Sequence, residues 1–106
     1  MIRVVVAGAA GRMGSTILAA LRQEKDFTVT GAFERAGNEH VGREASGVPI
    51  AAGIEPALAK GADVVIDFSA PAASLQHAAV CADRGIALVI GYENPRAGSN
   101  QMFLGQ

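Results

Sequence analysis

The stretch Ile2-Arg3-Val4-Val5-Val6-Ala7-Gly8-Ala9-Ala10-Gly11-Arg12-Met13-Gly14 decides the fold of this chain. Residues 2–7 form an apolar run that reads as a buried strand. A turn follows with glycines at G-x-x-G-x-x-G spacing, Ala10 standing where the commonest form of such a turn has its middle glycine. Residues 12–24 then read as a helix, with Met13, Ile17, Ala20 and Leu21 as its apolar positions. Strand, glycine turn, helix is the order that opens a dinucleotide-binding fold. Each glycine has a physical task. Gly8 lets the backbone leave the strand in a tight turn, Gly11 lets a pyrophosphate approach the main chain, and Gly14 lets the helix pack closely on the strand. The helix N-terminus presents N–H groups and the positive end of its dipole to the phosphates. A purely structural strand–helix corner would carry the same glycines, so a second signal is needed.

That signal follows the next strand. Residues 27–33 are β-branched and aromatic, although Gly31 weakens the strand locally. Glu34 ends the strand and Arg35 follows it, and Glu34 stands 20 positions after Gly14. A dinucleotide fold places there the acidic residue that accepts hydrogen bonds from the adenosine ribose. A ribose 2′-phosphate is repelled by Glu34 and attracted by Arg35. Charge-assisted hydrogen bonds are worth about 1.5–3 kcal/mol each. The two effects are similar in size and opposite in sign, which predicts weak discrimination between NADH and NADPH. Arg12, beside the turn, is placed either to neutralise pyrophosphate, to reach the adenine end, or to sit at the surface.

The rest of the chain continues the alternation. Residues 34–47 are polar and read as a long loop, with a short strand at 48–51 and a short helix at 54–60 that Gly61 stops. Residues 62–68 are a strong buried strand. Residues 71–84 read as a helix, with Pro71 in the first turn and Gly85 after the last residue. Ala72, Leu75, Ala79 and Ala82 are its expected apolar stripe, which turns His77 outward or toward an edge. Residues 86–90 form a further strand ended by Gly91. Near-continuous apolar strands alternating with helices imply an α/β protein with a Rossmann-like, doubly wound parallel sheet, truncated at this length. Residues 1–91 are read as the NAD(P)-binding domain and 92–106 as a divergent C-terminal tail. Met102-Phe103-Leu104 in that tail is a docked patch or a strand fragment.

Composition narrows the function further. The chain has 106 residues, enough for one domain, and 50% hydrophobic with 18% charged residues argues against disorder. A net charge of −1 gives no general pull toward nucleic acid or an anionic membrane. No apolar run approaches a membrane span. One cysteine, Cys81, fits a reducing compartment, so a cytoplasmic location is expected. Two histidines and one cysteine do not make a metal-ligand spacing. His40 is expected to be solvated, Asp67 to fix a loop or cap a helix, and Cys81 to be inert.

The stretches VVVAGAAGRMG, AFERAG and DVVIDFSAPAASLQHAAVCADRGIALVIG resemble the N-terminal half of the 4-hydroxy-tetrahydrodipicolinate reductases, also called dihydrodipicolinate reductases. The resemblance runs from residue 2 to Gly91. It implies an NADPH- or NADH-dependent oxidoreductase of the diaminopimelate route to lysine, often a homotetramer. It also implies cofactor contacts at Gly8, Ala9, Ala10, Gly11, Arg12 and Met13 for the pyrophosphate, and at Glu34 and Arg35 for the ribose and 2′-phosphate. Phe68 and Ser69 would lead into the nicotinamide pocket, and Gly91 would open the next cofactor loop. The family continues Gly-Thr-Thr-Gly, whereas here Gly91 precedes Tyr92-Glu93-Asn94. Nothing here resembles the family's catalytic His-His…Lys…Pro-Ser-Gly-Thr segment, so reduction by this chain alone is not expected. The alternative is a non-catalytic nucleotide-binding fragment that self-assembles through an exposed sheet edge, either strand 86–90 or the tail.

Overall fold

Val4, Val5 and Val6 have no exposed surface, because their strand runs through the middle of the sheet with both faces covered. The computed structural model describes residues 1–94 and 99–105, with 92–94 and 99–105 given as backbone only. In chain order the elements are β1 (Ile2–Ala7), α1 (Arg12–Leu21), β2 (Phe27–Glu34), β3 (Glu44–Ala45), β4 (Val48–Ala52), α2 (Ile54–Ala57), β5 (Val64–Asp67), α3 (Pro71–Arg84), β6 (Ala87–Asn94) and β7 (Ser99–Gly105). They form one sheet in the order β3-β4-β2-β1-β5-β6-β7. The five inner strands are parallel, while β3 and β7 pair antiparallel at the two edges. This is the Rossmann-like α/β arrangement expected from the alternation.

The strands' period of two divides the core into two layers. Val4, Val6, Ala32 and Ile50 pack with Leu18 of α1. Val5, Ala7, Phe33, Val65 and Leu88 pack on the other face with Ile54, Ala57 and Leu58 and with Cys81 of α3. Burying each such aliphatic side chain is worth about 1.5–3 kcal/mol relative to exposure. Gly31 marks an irregularity in β2. The β1–β2 register passes from Val4↔Val29 to Val5↔Gly31, so Thr30 is the extra residue. A Cβ on Gly31 would run into the Ala57 carbonyl, which explains why a glycine interrupts this strand.

Several expectations need correction. Helix α1 ends at Leu21, and its buried positions are Gly14 and Leu18, with Ala20 exposed. The 54–60 helix shortens to Ile54–Ala57. The strand expected to end at Gly91 continues to Asn94 and pairs with β7, so Gly91 lies within a strand and strand 86–90 is not the sheet edge. The apolar patch Met102–Leu104, read as a docked patch or a strand fragment, lies in strand β7, which takes that edge.

A further correction concerns the face of α3. Ala72, Leu75, Ala79 and Ala82 are all exposed, Leu75 at 77%. Ser74, His77, Ala78 and Cys81 face the sheet instead. Those positions recur at i, i+3, i+4 and i+7, a proper helical face. Alanines on every side gave the sequence little contrast, and Leu75 pulled the reading to the wrong side. The boundaries of α3 agree with the expectation. Pro71 is its first residue, and Gly85 closes it at φ +68° with Ile86 N–H donating to the Cys81 carbonyl at 2.8 Å.

Candidate functional site

The chain direction of the crossovers reverses between β1 and β5, and ligands of open α/β sheets bind at the carboxyl ends of strands at such a point. The turn after β1, the end of β2 and the loop after β5 converge there. Gly8 leaves β1 at φ +72°, and a Cβ on it would lie 2.8 Å from the Phe68 carbonyl oxygen. Only glycine satisfies both conditions. Backbone bonds hold the turn: Gly8 N–H donates to the Phe33 carbonyl at 3.0 Å, and Gly11 N–H to the Gly8 carbonyl at 3.1 Å. A Cβ on Gly14 would collide with the Gly8 carbonyl, so α1 packs directly on the turn as its glycine predicts. Gly11 is the N-cap of α1 and is exposed, with no side-chain cap on the helix and no acidic residue in its first turn. The positive end of the helix therefore faces the turn without a neutralising carboxylate of its own.

Glu34 stands opposite. Its Oε2 accepts the Ala10 N–H at 2.9 Å, which ties the acidic residue to the glycine turn across a sequence gap of 24 residues. The Glu34 carbonyl also accepts the Gly53 N–H at 2.9 Å, fixing the end of β2 against β4. Arg35 follows, exposed. Two cavities meet at this pair. One, of about 490 Å³, is lined by Ala10, Gly11, Glu34, Arg35, Asn38 and His40 among others. The other, of about 610 Å³, runs from Gly8, Gly11, Glu34 and Arg35 to Phe68, Ser69, Gln76 and His77. Seven of the eleven residues singled out in the sequence, Gly8, Ala10, Gly11, Glu34, Arg35, Phe68 and Ser69, thus surround one continuous region. Ala9 is buried beneath the turn, while Arg12 (exposed) and Met13 (half-buried) begin α1 outside these two cavities. Gly91 lies apart from the cleft, in a smaller groove with Ser69, Pro71, Leu75 and Ile90. It is still linked to the site, because the Phe68 ring occupies the space a Cβ would need: Cζ lies 2.7 Å from that position.

The floor of the larger cleft joins residues that the sequence reading left separate. Asp67 is fully buried. Its Oδ1 accepts the Ser69 N–H at 2.8 Å and the Ser69 hydroxyl at 2.5 Å. His77 Nδ1 lies 2.7 Å from its Oδ2, and the His77 side chain is only 11% exposed. The Phe33 ring meets the imidazole edge-on, with centroids 4.9 Å apart. Burial pushes the Asp67 carboxyl up, but the hydrogen bonds from His77 and Ser69 outweigh it and leave the group below the ordinary carboxylate range. Asp67 therefore fixes the Phe68-Ser69 loop, as expected of it. His77 is inward rather than exposed. The signal was present as Asp67 and His77 on consecutive elements, but the misplaced stripe hid it. Burial, and then the Asp67 charge, pushes the Cys81 thiol up and keeps it protonated, consistent with an inert thiol.

A Rossmann-like domain with a glycine turn facing an acidic strand end is the class this geometry defines. Comparison with known proteins narrows it. Residues 2–92 match the family described as "Dihydrodipicolinate reductase, N-terminus", and the chain belongs to that family. It is 48% identical over 98 residues to the 4-hydroxy-tetrahydrodipicolinate reductase of Anaeromyxobacter dehalogenans (strain 2CP-C), a match covering 86% of this chain and 36% of that protein. The enzyme of the same name from Afipia carboxidovorans is 38% identical over 109 residues, covering 95% and 40%. The chain thus spans well under half the length of these curated relatives. In fold, it resembles a dipicolinate-bound dihydrodipicolinate reductase from Paenisporosarcina sp. TG-14, with TM-score 0.70, 21% identity, and coverage of 86% of this chain and 37% of that one. It also resembles the UDP-D-quinovosamine 4-dehydrogenase of Vibrio fischeri, with TM-score 0.66, 16% identity, and coverage of 96% and 93%. Among the described residues, no helix is long and apolar enough to cross a membrane.

Proposed function

We propose that this chain is the NAD(P)H-binding part of a cytoplasmic 4-hydroxy-tetrahydrodipicolinate reductase. The observation that carries the reading is the bond from the Ala10 N–H to Glu34 Oε2, which puts the acidic residue beside the glycine turn at the switch point of the sheet. The residues fit a dinucleotide. Gly8 and Gly11 keep side chains out of the turn, where the backbone and the α1 dipole would meet the pyrophosphate. Glu34 uses one carboxylate oxygen on Ala10 and keeps the other for the ribose diol. Arg35 offers a guanidinium to a 2′-phosphate. Phe68 and Ser69, held by Asp67, wall the side toward the nicotinamide. The bound cofactor would supply a hydride, and the residues here would bind and orient it rather than protonate the substrate.

Two consequences follow. The first is weak discrimination between NADPH and NADH, because Glu34 and Arg35 act in opposite directions on the phosphate. The second is that the chain alone binds cofactor without reducing a cyclic dicarboxylate. Calorimetric titration of the chain with NADPH and NADH, repeated with Arg35→Ala, tests both. The expected result is binding of both cofactors, with NADPH weakened selectively by about tenfold in the variant. Binding of neither at millimolar cofactor would contradict the reading, and so would equal weakening of both in Arg35→Ala.

A further inference from the structure

We propose that His40 is a second phosphate-facing residue of the Glu34–Arg35 cavity, and that protonation of its imidazole raises preference for a dinucleotide bearing a 2′-phosphate. The inference rests on the cofactor reading above. His40 was expected to be solvated. Its side chain is 40% exposed, and it also lines the same cavity as Glu34 and Arg35.

The loop that carries it is pinned at several points. Asn38 N–H donates to the Arg35 carbonyl at 3.1 Å, and Arg43 N–H to the His40 carbonyl at 3.0 Å. Gly42 N–H donates to Ile50 of β4 at 2.9 Å, and Ile50 N–H returns to the Arg43 carbonyl at 2.8 Å. Asn38 Oδ1 accepts the His40 backbone N–H at 2.8 Å and lies 3.3 Å from His40 Nδ1. The backbone donor identifies that side-chain atom as the oxygen, so Nδ1 carries the hydrogen facing it. Nε2 is then the ring nitrogen without a hydrogen in the neutral imidazole.

The charged groups lining the cavity with His40 are Glu34, Arg35 and Glu39. Glu39 Oε1 is 4.0 Å from Nδ1. Two carboxylates against one guanidinium leave the cavity negative while the imidazole is neutral. A protonated imidazole balances it and carries a second N–H donor. The diol of NADH carries no such charge. By linkage, protonation and binding of the phosphate favour each other, so NADPH gains on NADH as pH falls.

The test is calorimetric titration of the chain with NADPH and with NADH at about pH 8 and about pH 6, for the wild type and His40→Gln. The 2′-phosphate itself picks up a proton near pH 6 and loses charge, which works against NADPH in both proteins. The variant measures that effect alone. The expected result is that the NADPH-to-NADH affinity ratio of the wild type, divided by that of His40→Gln, grows by about two- to fivefold from the higher pH to the lower. If both cofactors bind and that quotient stays flat, the His40 proposal is overturned while the cofactor reading survives. Binding of neither cofactor at either pH overturns both.

Discussion

The two halves of the cleft are built from different materials. On the β1–β2 side, the cleft is lined by backbone, glycines and two charged residues at a strand end. On the β5–α3 side, it is lined by side chains fixed from below by a buried carboxylate, with Asp67 holding Ser69 and His77. The first kind of site is stiff because no other backbone fits it. The second kind is stiff only while a polar network inside the core stays complete. The difference teaches that the same cleft has one wall set by sterics and another set by hydrogen bonding, and the two walls fail in different ways.

The largest effect is expected on the steric wall. Gly14→Val places a side chain against the Gly8 carbonyl and the Ala9 Cα. Helix α1 then lifts from the turn, at a cost of about 3 kcal/mol, a large share of a small domain's stability. Urea denaturation followed by circular dichroism checks it. A loss below about 1 kcal/mol would mean the helix is not held by this contact.

The polar wall comes next. Asp67→Ala leaves the Ser69 N–H, the Ser69 hydroxyl and His77 without their acceptor, and about 2–3 kcal/mol should be lost at neutral pH. Asp67→Asn keeps the shape and separates charge from packing. Because the folded carboxyl titrates below its unfolded value, its contribution is complete above that value, about pH 3.9, and is lost as pH falls through the folded one. The Arg3–Asp63 ion pair lowers the Asp63 carboxyl in the same direction. The stability difference between wild type and Asp67→Asn should therefore shrink as pH drops below about 4, while the Asp63 share cancels. A difference that is constant from about pH 7 to about pH 2 would show that the charge of Asp67 contributes nothing.

How far each wall was legible follows from the same contrast. Glycines at 8 and 14 report their packing directly, because φ > 0 and close backbone approach leave few other residue types, and the acid at 34 lies against the turn that its spacing pairs it with. The strand runs and the ends of α3 were equally readable from apolar runs, Pro71 and Gly85. The face of α3 was not. Its inward residues include Ser74 and His77, which a hydrophobicity pattern assigns to solvent, and the burial of His77 makes sense only once Asp67 is placed beside it. The end of β6 was hidden for a related reason: Gly91 reads as a strand stop, yet it is glycine because the Phe68 ring lies on it.

Two smaller effects sharpen this point. Among the described residues, the Ser74 hydroxyl is a buried polar group without a hydrogen-bond partner. Ser74→Ala should therefore raise stability by about 0.5–1 kcal/mol, through relief of that group and better helix propensity. Leu75→Ala should change it by less than about 0.5 kcal/mol, since the side chain is in solvent. Thermal denaturation of both variants decides whether α3 sits as described. A loss of about 2 kcal/mol in Leu75→Ala would restore the expected stripe and reject the observed face.

The central claim is that the turn after β1 and the end of β2 hold the dinucleotide together. Amide NMR spectra of the chain titrated with NADH test it residue by residue. Concentration-dependent shifts are expected at Gly8, Ala10, Gly11, Glu34 and Arg35, with Ala72, Ala79 and Ala82 on the outer face of α3 unmoved. Shifts confined to other surfaces, or none at all at millimolar cofactor, would contradict it.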